Sequence, residues 1–169
     1  EFYEINPLVV RVAQQEFTFL RDSKARVAFE LGDARLTLER QPPQQFDALA
    51  VDAFSSDSIP VHLLTIEAFE LYFRHLRPGG ILAVHISNRY LNLDGVVAAA
   101  AQKLGKDAVL IDSRGDNANG TFLGRWVLLA NRDVLSGFPD IEKAKRTLTA
   151  TGREKLWTDS YSSLFAVLK

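Results

Sequence analysis

Three acidic residues close apolar, strand-like runs in this chain, and a helix-like segment follows each of them. Phe2-Tyr3-Glu4 precedes Asn6-Pro7 and an amphipathic stretch, Val27 to Leu31 runs into Gly32-Asp33, and Phe46 to Val51 ends on Asp52. If these runs are parallel strands of one α/β sheet, Glu4, Asp33 and Asp52 emerge at its carboxyl edge, where open sheets of this class bind ligands. Carboxylates at that edge suit a polar, nucleoside-like and partly cationic guest. A strand-end carboxylate such as Glu4 can accept hydrogen bonds from both cis hydroxyls of a ribose, or it can simply sit by a helix N-terminus whose dipole favours negative charge. Asp33 follows a glycine that lets backbone approach a flat base, and its side chain can accept a hydrogen bond. It can equally N-cap the helix starting at Ala34, leaving a backbone contact from Ala34 to serve the base.

The elements that must position these groups alternate along the chain. Asn6 is a helix cap with Pro7 in the first turn, and Leu8, Val9, Val12, Ala13, Phe17 and Leu20 supply an apolar face through Arg21. After the Val27 to Leu31 strand comes a short helix, Ala34 to Glu39, and a Pro42-Pro43 break. The Phe46 to Asp52 strand leads to a helix capped by Thr65 and running from Glu67 to Leu76, which Pro78-Gly79-Gly80 ends before the buried strand Ile81 to Ile86. An alanine-rich helix from Leu93 to Leu104, strands at Ala108 to Ile111 and Arg125 to Ala130, and a last helix from Asp140 to Thr149 complete the series. This βαβα order implies an α/β fold with a mostly parallel sheet and helices on both faces.

Composition narrows the function classes. A chain of 169 residues that is 47% hydrophobic and 24% charged can bury a sizeable core and fits one compact domain spanning 1–169. A net charge of -1 gives no broad basic face for nucleic acid and no polybasic membrane signal. No apolar run approaches the roughly 18 residues of a membrane span. With no cysteine, thiolate metal sites and a cysteine nucleophile are excluded. The chain enters a strand at once from Glu1, so it is expected to be part of a longer polypeptide.

Four motifs in order carry a resemblance. Tyr3-Glu4-Ile5-Asn6-Pro7, Leu31-Gly32-Asp33-Ala34-Arg35, the block from Val51-Asp52-Ala53-Phe54 to Ser55-Ser56-Asp57-Ser58-Ile59-Pro60, and Leu76-Arg77-Pro78-Gly79-Gly80 resemble the polyamine aminopropyltransferases. The chain is similar to the nucleoside-binding domain of spermidine synthases, particularly the spermidine-synthase-like domains found alone or fused to membrane segments in bacteria. Trp157-Thr158-Asp159-Ser160-Tyr161-Ser162 resembles the tail of the fused group. The resemblance implies a Rossmann-like, methyltransferase-type three-layer sandwich. It also implies that Glu4 holds the ribose and Asp33 and Ala34 the adenine of decarboxylated S-adenosylmethionine, with no metal. Localisation would be cytoplasmic, as a free chain or as the soluble domain of a membrane-fused parent.

For Asp52 the resemblance implies the catalytic base. Aminopropyl transfer displaces a thioether at carbon by an amine, and an amine with a pKa near ~10 is mostly charged at neutral pH. A nearby carboxylate recruits that cation and takes its proton as the bond forms, although its charge also holds the proton on nitrogen, so catalysis depends on positioning. Otherwise Asp52 is a strand-end acid binding the amides of its own loop. The second family acid, which holds substrate nitrogen, corresponds to Asp57, but Ala53-Phe54 are inserted before Ser55-Ser56-Asp57 and Ser58-Ile59-Pro60 replaces the usual turn. A solvated loop acid is the competing reading of Asp57. Asn88 is a polar pocket residue for substrate or the start of a turn.

His62, His75 and His85 lack a second ligand at metal spacing and read as structural. Ser55, Ser56 and Ser58 lack the glycine pattern of a hydrolase nucleophile. Arg114 to Gly120 is a lid or a plain surface loop, and Trp126 and Trp157 are core packing. Relative to the resembled family, the first strand and its glycine-rich loop do not precede Glu4. That leaves an exposed sheet edge, which another segment, a rearranged strand order or a homodimer is expected to cover. The expected activity of the parent is aminopropyl transfer to a polyamine such as putrescine, with the isolated chain impaired or inactive. The alternatives are an S-adenosylmethionine-dependent methyltransferase and a non-catalytic nucleoside-binding or interaction domain.

Overall fold

The computed structural model describes residues 1–53, 60–151 and 156–169, excepting the side chains of Arg114, Asn117, Ala144 and Lys145. Its residues divide into two compact units, Glu1–Pro42 and Pro43–Lys169.

The first unit is a two-stranded parallel sheet with two helices: β1 (Phe2–Glu4), α1 (Pro7–Gln15), β2 (Phe29–Leu31) and α2 (Ala34–Arg40). The Asn6 side chain accepts from the Leu8 N–H at 2.9 Å and starts α1, as its sequence implies. The helix does not run on to Arg21. It stops at Gln15, with the Glu16 N–H closing on the Val12 carbonyl, and the Phe17 and Phe19 rings then approach to 6.2 Å. Two residues apart, those rings would point away from each other on a helix, so their contact requires the chain to leave it. β2 is likewise shorter than Val27 to Leu31, because Phe2 lies opposite Phe29 and the residues before Phe29 fall outside the paired stretch.

The second unit holds a five-stranded sheet in the order β3-β4-β6-β5-β7. Its elements are β3 (Phe46–Val51), α3 (Ile66–His75), β4 (Leu76–His85), α4 (Asp94–Lys103), β5 (Asp107–Asp116), β6 (Thr121–Ala130), α5 (Arg132–Ser136), α6 (Pro139–Ala144) and β7 (Lys145–Thr147). β3 and β4 are parallel and connect through α3, while β6 returns antiparallel between β4 and β5. The sheet is therefore mixed: the crossover through α4 sets β5 one strand's width away from β4, and the β5–β6 hairpin fills that space. Leu82, Val84, Leu110, Val127 and Leu129, buried on the three central strands, form the middle of the core.

Three local expectations change here. Pro78-Gly79-Gly80 does not separate helix from strand; the helix ends at His75, and these residues form the irregular start of β4, where the register with β3 shifts between Phe46 and Ala48. A Cβ on Gly80 would lie 3.0 Å from the Phe46 carbonyl oxygen, so the close approach of the strands requires glycine there. The Asp140 to Thr149 helix is cut to α6, since Lys145–Thr147 pairs with the edge of β5, where tertiary hydrogen bonds outweigh helix propensity. Arg114 to Gly120 is not a free loop but the end of β5 and the turn of the hairpin, with Gly115 and Gly120 at φ 67° and 66°.

The C-terminal segment is tied back onto this unit. Trp157 is buried and its carbonyl accepts from the Ile66 N–H, while the Thr65 hydroxyl, which caps α3, donates to Asp159 at 2.8 Å. Farther on, the Asn92 N–H donates to the Val167 carbonyl at 2.7 Å and the Lys169 N–H to the Tyr90 carbonyl at 2.9 Å. Among the described residues β1 pairs only with β2, and β3 only with β4.

Candidate functional site

In the first unit Glu4 and Asp33 share the carboxyl edge of the parallel pair. Glu4 ends β1 opposite Leu31, and the Gly32 N–H donates to the Glu4 carbonyl at 3.0 Å, which draws the turn before Asp33 close to Glu4. Gly32 adopts φ 141°, a conformation that side-chain-bearing residues rarely take. Both acids are half-buried. Glu4 Oε1 accepts from the Asn6 N–H at 2.8 Å, and Oε2 makes no hydrogen bond to the described residues. Asp33 Oδ1 accepts from the Leu36 N–H at 2.9 Å, so Asp33 is a working N-cap of α2.

The second unit presents Asp52 one residue beyond β3. Val51 is in register with Val84, and the next step along each parallel chain brings Asp52 beside His85. The Asp52 Oδ1 to His85 Nδ1 distance is 2.7 Å, with the Asp52 side chain 55% exposed and the His85 side chain 21%. The other ring nitrogen, Nε2, lies 2.7 Å from Ser87 Oγ, and that oxygen accepts from the Arg125 N–H at 2.8 Å. His85 faces Trp126 across the β4–β6 pair, their rings stacked with centroids 4.9 Å apart.

Arg125 extends the same cluster. Its guanidinium donates to Asp94 at 3.0 Å and Asp112 at 2.9 Å. Burial disfavours the Arg125 charge, but the hydrogen bonds to Asp94 and Asp112 outweigh it and hold the guanidinium pKa above the ordinary arginine value. Beside it opens a cleft of about 560 Å³ lined by Ser87, Asn88, Asp112, Ser113 and Arg125 among others. Asn88 lines this cleft and also starts a turn, its Oδ1 accepting from the Tyr90 and Leu91 N–H groups at 2.9 and 2.8 Å.

Asp57, with Ser55, Ser56 and Ser58, lies outside the described residues. Among the described residues no group of three or more histidine, aspartate or glutamate side chains is gathered as a metal site would require, and no helix is long and apolar enough to cross a membrane. Trp157 is a core residue, whereas Trp126 packs on a site histidine.

His85, Ser87 and Arg125 are the site residues that sequence reasoning passed over. His85 and Ser87 stand two apart at the carboxyl end of an apolar strand, and side chains at that spacing share a face. Polar residues at i and i+2 next to a strand ending in aspartate were the available signal.

No family model matches the chain. It is 32% identical over 87 residues to the polyamine aminopropyltransferase of Vibrio vulnificus (strain CMCP6), covering 50% of this chain and 28% of that protein. It is 33% identical over 93 residues to the spermine synthase of Arabidopsis thaliana, covering 53% of this chain and 25% of that one. The chain thus spans about a quarter of the length of these curated relatives and is spermidine synthase-like in sequence over about half of its own. In fold it is similar to a probable spermidine synthase from Corynebacterium glutamicum ATCC 13032, with a TM-score of 0.64 at 20% identity over 96% of this chain and 64% of the other. It is also similar to a human methyltransferase-like protein 13 in complex with SAH, with a TM-score of 0.53 at 17% identity over 94% of this chain and 73% of the other. A spermidine synthase in complex with the transition-state analogue AdoDATO scores 0.53 at 13% identity, over 94% of this chain and 52% of that one. The fold is Rossmann-like α/β of the kind spermidine synthases and methyltransferases share.

Proposed function

We propose that this chain is the nucleoside- and amine-handling part of an aminopropyltransferase that moves the aminopropyl group of decarboxylated S-adenosylmethionine to a polyamine such as putrescine. The observation that carries the reading is Asp52 at the end of a parallel strand, one carboxylate oxygen held by His85 and the other making no bond to the described residues. The sequence similarity to a polyamine aminopropyltransferase and a spermine synthase supports it. The amine nitrogen attacks the carbon beside the sulfonium, the carbon–sulfur bond breaks with its electrons returning to sulfur, and Asp52 takes the amine proton. Glu4, with one oxygen committed to Asn6 and one open, serves the ribose hydroxyls. Asp33 and the Ala34 backbone serve the adenine. Asn88 in the cleft and Asp57 are assigned to the amine substrate. No metal is needed for this displacement.

In this reading residues 1–169 act as one Rossmann-like domain of a longer cytoplasmic or membrane-fused protein. A homodimer or another segment covers the strand edges of β1 and β3. Methyl transfer from S-adenosylmethionine is the second reading, favoured by the methyltransferase-like fold.

Incubation of the full-length parent with putrescine and either decarboxylated or intact S-adenosylmethionine, followed by mass spectrometry, separates the two, because the acceptor gains a three-carbon amine or a single carbon. Product from neither, together with no heat on titration with S-adenosyl compounds, refutes both and leaves an interaction domain. Light scattering reports on the dimer.

A further inference from the structure

His85 stands at the centre of a hydrogen-bonded line that the aminopropyl chemistry of Asp52 does not by itself require. The line runs from the Arg125 N–H to Ser87 Oγ at 2.8 Å, from Ser87 to His85 Nε2 at 2.7 Å, and from His85 Nδ1 to Asp52 Oδ1 at 2.7 Å. Its polarity follows from the chemistry of its members. An ionised carboxylate only accepts, so Nδ1 carries the hydrogen; Nε2 then accepts from the Ser87 hydroxyl, and the Ser87 oxygen accepts from the backbone amide. Turning the ring over would aim carbon atoms at both partners and lose both bonds.

The two ends of the line differ in rigidity. Arg125 belongs to β6, and its guanidinium is clamped between Asp94, in the first turn of α4, and Asp112 of β5. His85 is packed face to face on Trp126. Asp52, by contrast, sits past the end of its strand with its side chain 55% exposed, and the bond to His85 is the one that fixes it among the described residues. An exposed carboxylate otherwise samples several rotamers.

We propose that His85 is a positioning residue: its Nδ1–H holds Asp52 Oδ1 so that Oδ2 stays aimed at the acceptor amine, with Ser87 Oγ and the stacked Trp126 ring holding the imidazole in place. The proposal rests on the assignment of Asp52 as base. Base and amine must meet in hydrogen-bond geometry, and a misplacement of about 1 Å costs on the order of 10²-fold in rate.

Three substitutions test it in the full-length parent with putrescine and decarboxylated S-adenosylmethionine. In His85→Asn the amide nitrogen occupies the Nδ1 position and keeps the bond to Asp52; in His85→Gln it occupies the Nε2 position and keeps only Ser87; His85→Ala keeps neither. The asparagine variant is expected to retain kcat within a fewfold. The glutamine and alanine variants fall by about 10²-fold in kcat, with the KM of the nucleoside unchanged. A structural role for the ring on Trp126 would lower all three alike, and that result, or no effect in any of them, overturns the proposal.

The second readout needs no turnover. Nitrogen NMR of the His85 ring is expected to show protonated Nδ1 and unprotonated Nε2, and Asp52→Ala is expected to abolish that preference. A ring protonated on Nε2 alone, or one indifferent to Asp52→Ala, overturns the proposal even if the chain transfers nothing. Absence of transfer with the expected tautomer refutes the aminopropyltransferase reading and leaves the lock on Asp52 standing.

Discussion

Replacing Asp52 with asparagine separates the two things a carboxylate does for an amine. The substitution is close to isosteric, and Oδ1 of the new amide can still accept the His85 Nδ1–H that now bonds Asp52 at 2.7 Å, so fold and site geometry are kept. Charge attraction is lost, but its size is limited by exposure. With 55% of the Asp52 side chain in solvent, an ammonium at about 4 Å is attracted by only about 1 kcal/mol, and its loss raises the amine KM roughly fivefold. Loss of the proton acceptor acts on the barrier instead and is worth about 10² to 10⁴ in kcat. The expected signature is a large fall in kcat beside a small rise in amine KM, with nucleoside binding by calorimetry unaltered. Steady-state assays following product by mass spectrometry measure it. A variant with unchanged kcat, or one whose whole defect lies in KM, refutes the assignment of Asp52 as base.

Other consequences are open to direct test. Asp33→Ala should cost about 1 kcal/mol of stability in urea unfolding through loss of the α2 cap, whereas Asp33→Asn, an equally good cap, should keep stability and lose adenosine affinity if the side chain also serves the base. Adenosine binding by Asp33→Asn equal to that of the parent would leave Asp33 with the cap alone. Trp157→Ala should destabilise by about 3–5 kcal/mol, because a fully buried indole leaves a cavity; a shift in melting temperature within error of the parent would show that the tail does not dock. Burial, reinforced by the charge of Glu1, pushes the Tyr3 phenol up to about 12. The neutral phenol is the favoured form in the fold, so its contribution to stability is complete below the ordinary value of 10.0 and is lost as pH rises through about 12. Phenolate absorbance of the parent minus that of Tyr3→Phe should rise late, and a rise near the ordinary value would contradict the buried setting.

Much of the local structure could be read from neighbouring residues. Asn6-Pro7 and Thr65 start helices where side-chain oxygens can reach amides two or three residues on, and Glu4, Asp33 and Asp52 end or follow strands because apolar runs stop there. Reading failed where a distant partner outbid a local preference. Lys145–Thr147 left a helical pattern for the edge of β5.

The candidate site shows the same division. Local residue order was enough to locate the strand-end acids, the α/β alternation and the resemblance on which the proposed role of Asp52 rests. The meeting of Asp52 with His85, a residue 33 positions away that reads in isolation as part of an apolar strand, came from the packed sheet alone. That meeting depends on the register of β3 against β4, with Val51 opposite Val84, and a slip of one residue would turn His85 to the other face of the sheet. Helix caps and strand ends are set by atoms a few bonds away. Register is set by the packing of whole strands, and no short stretch of sequence contains it.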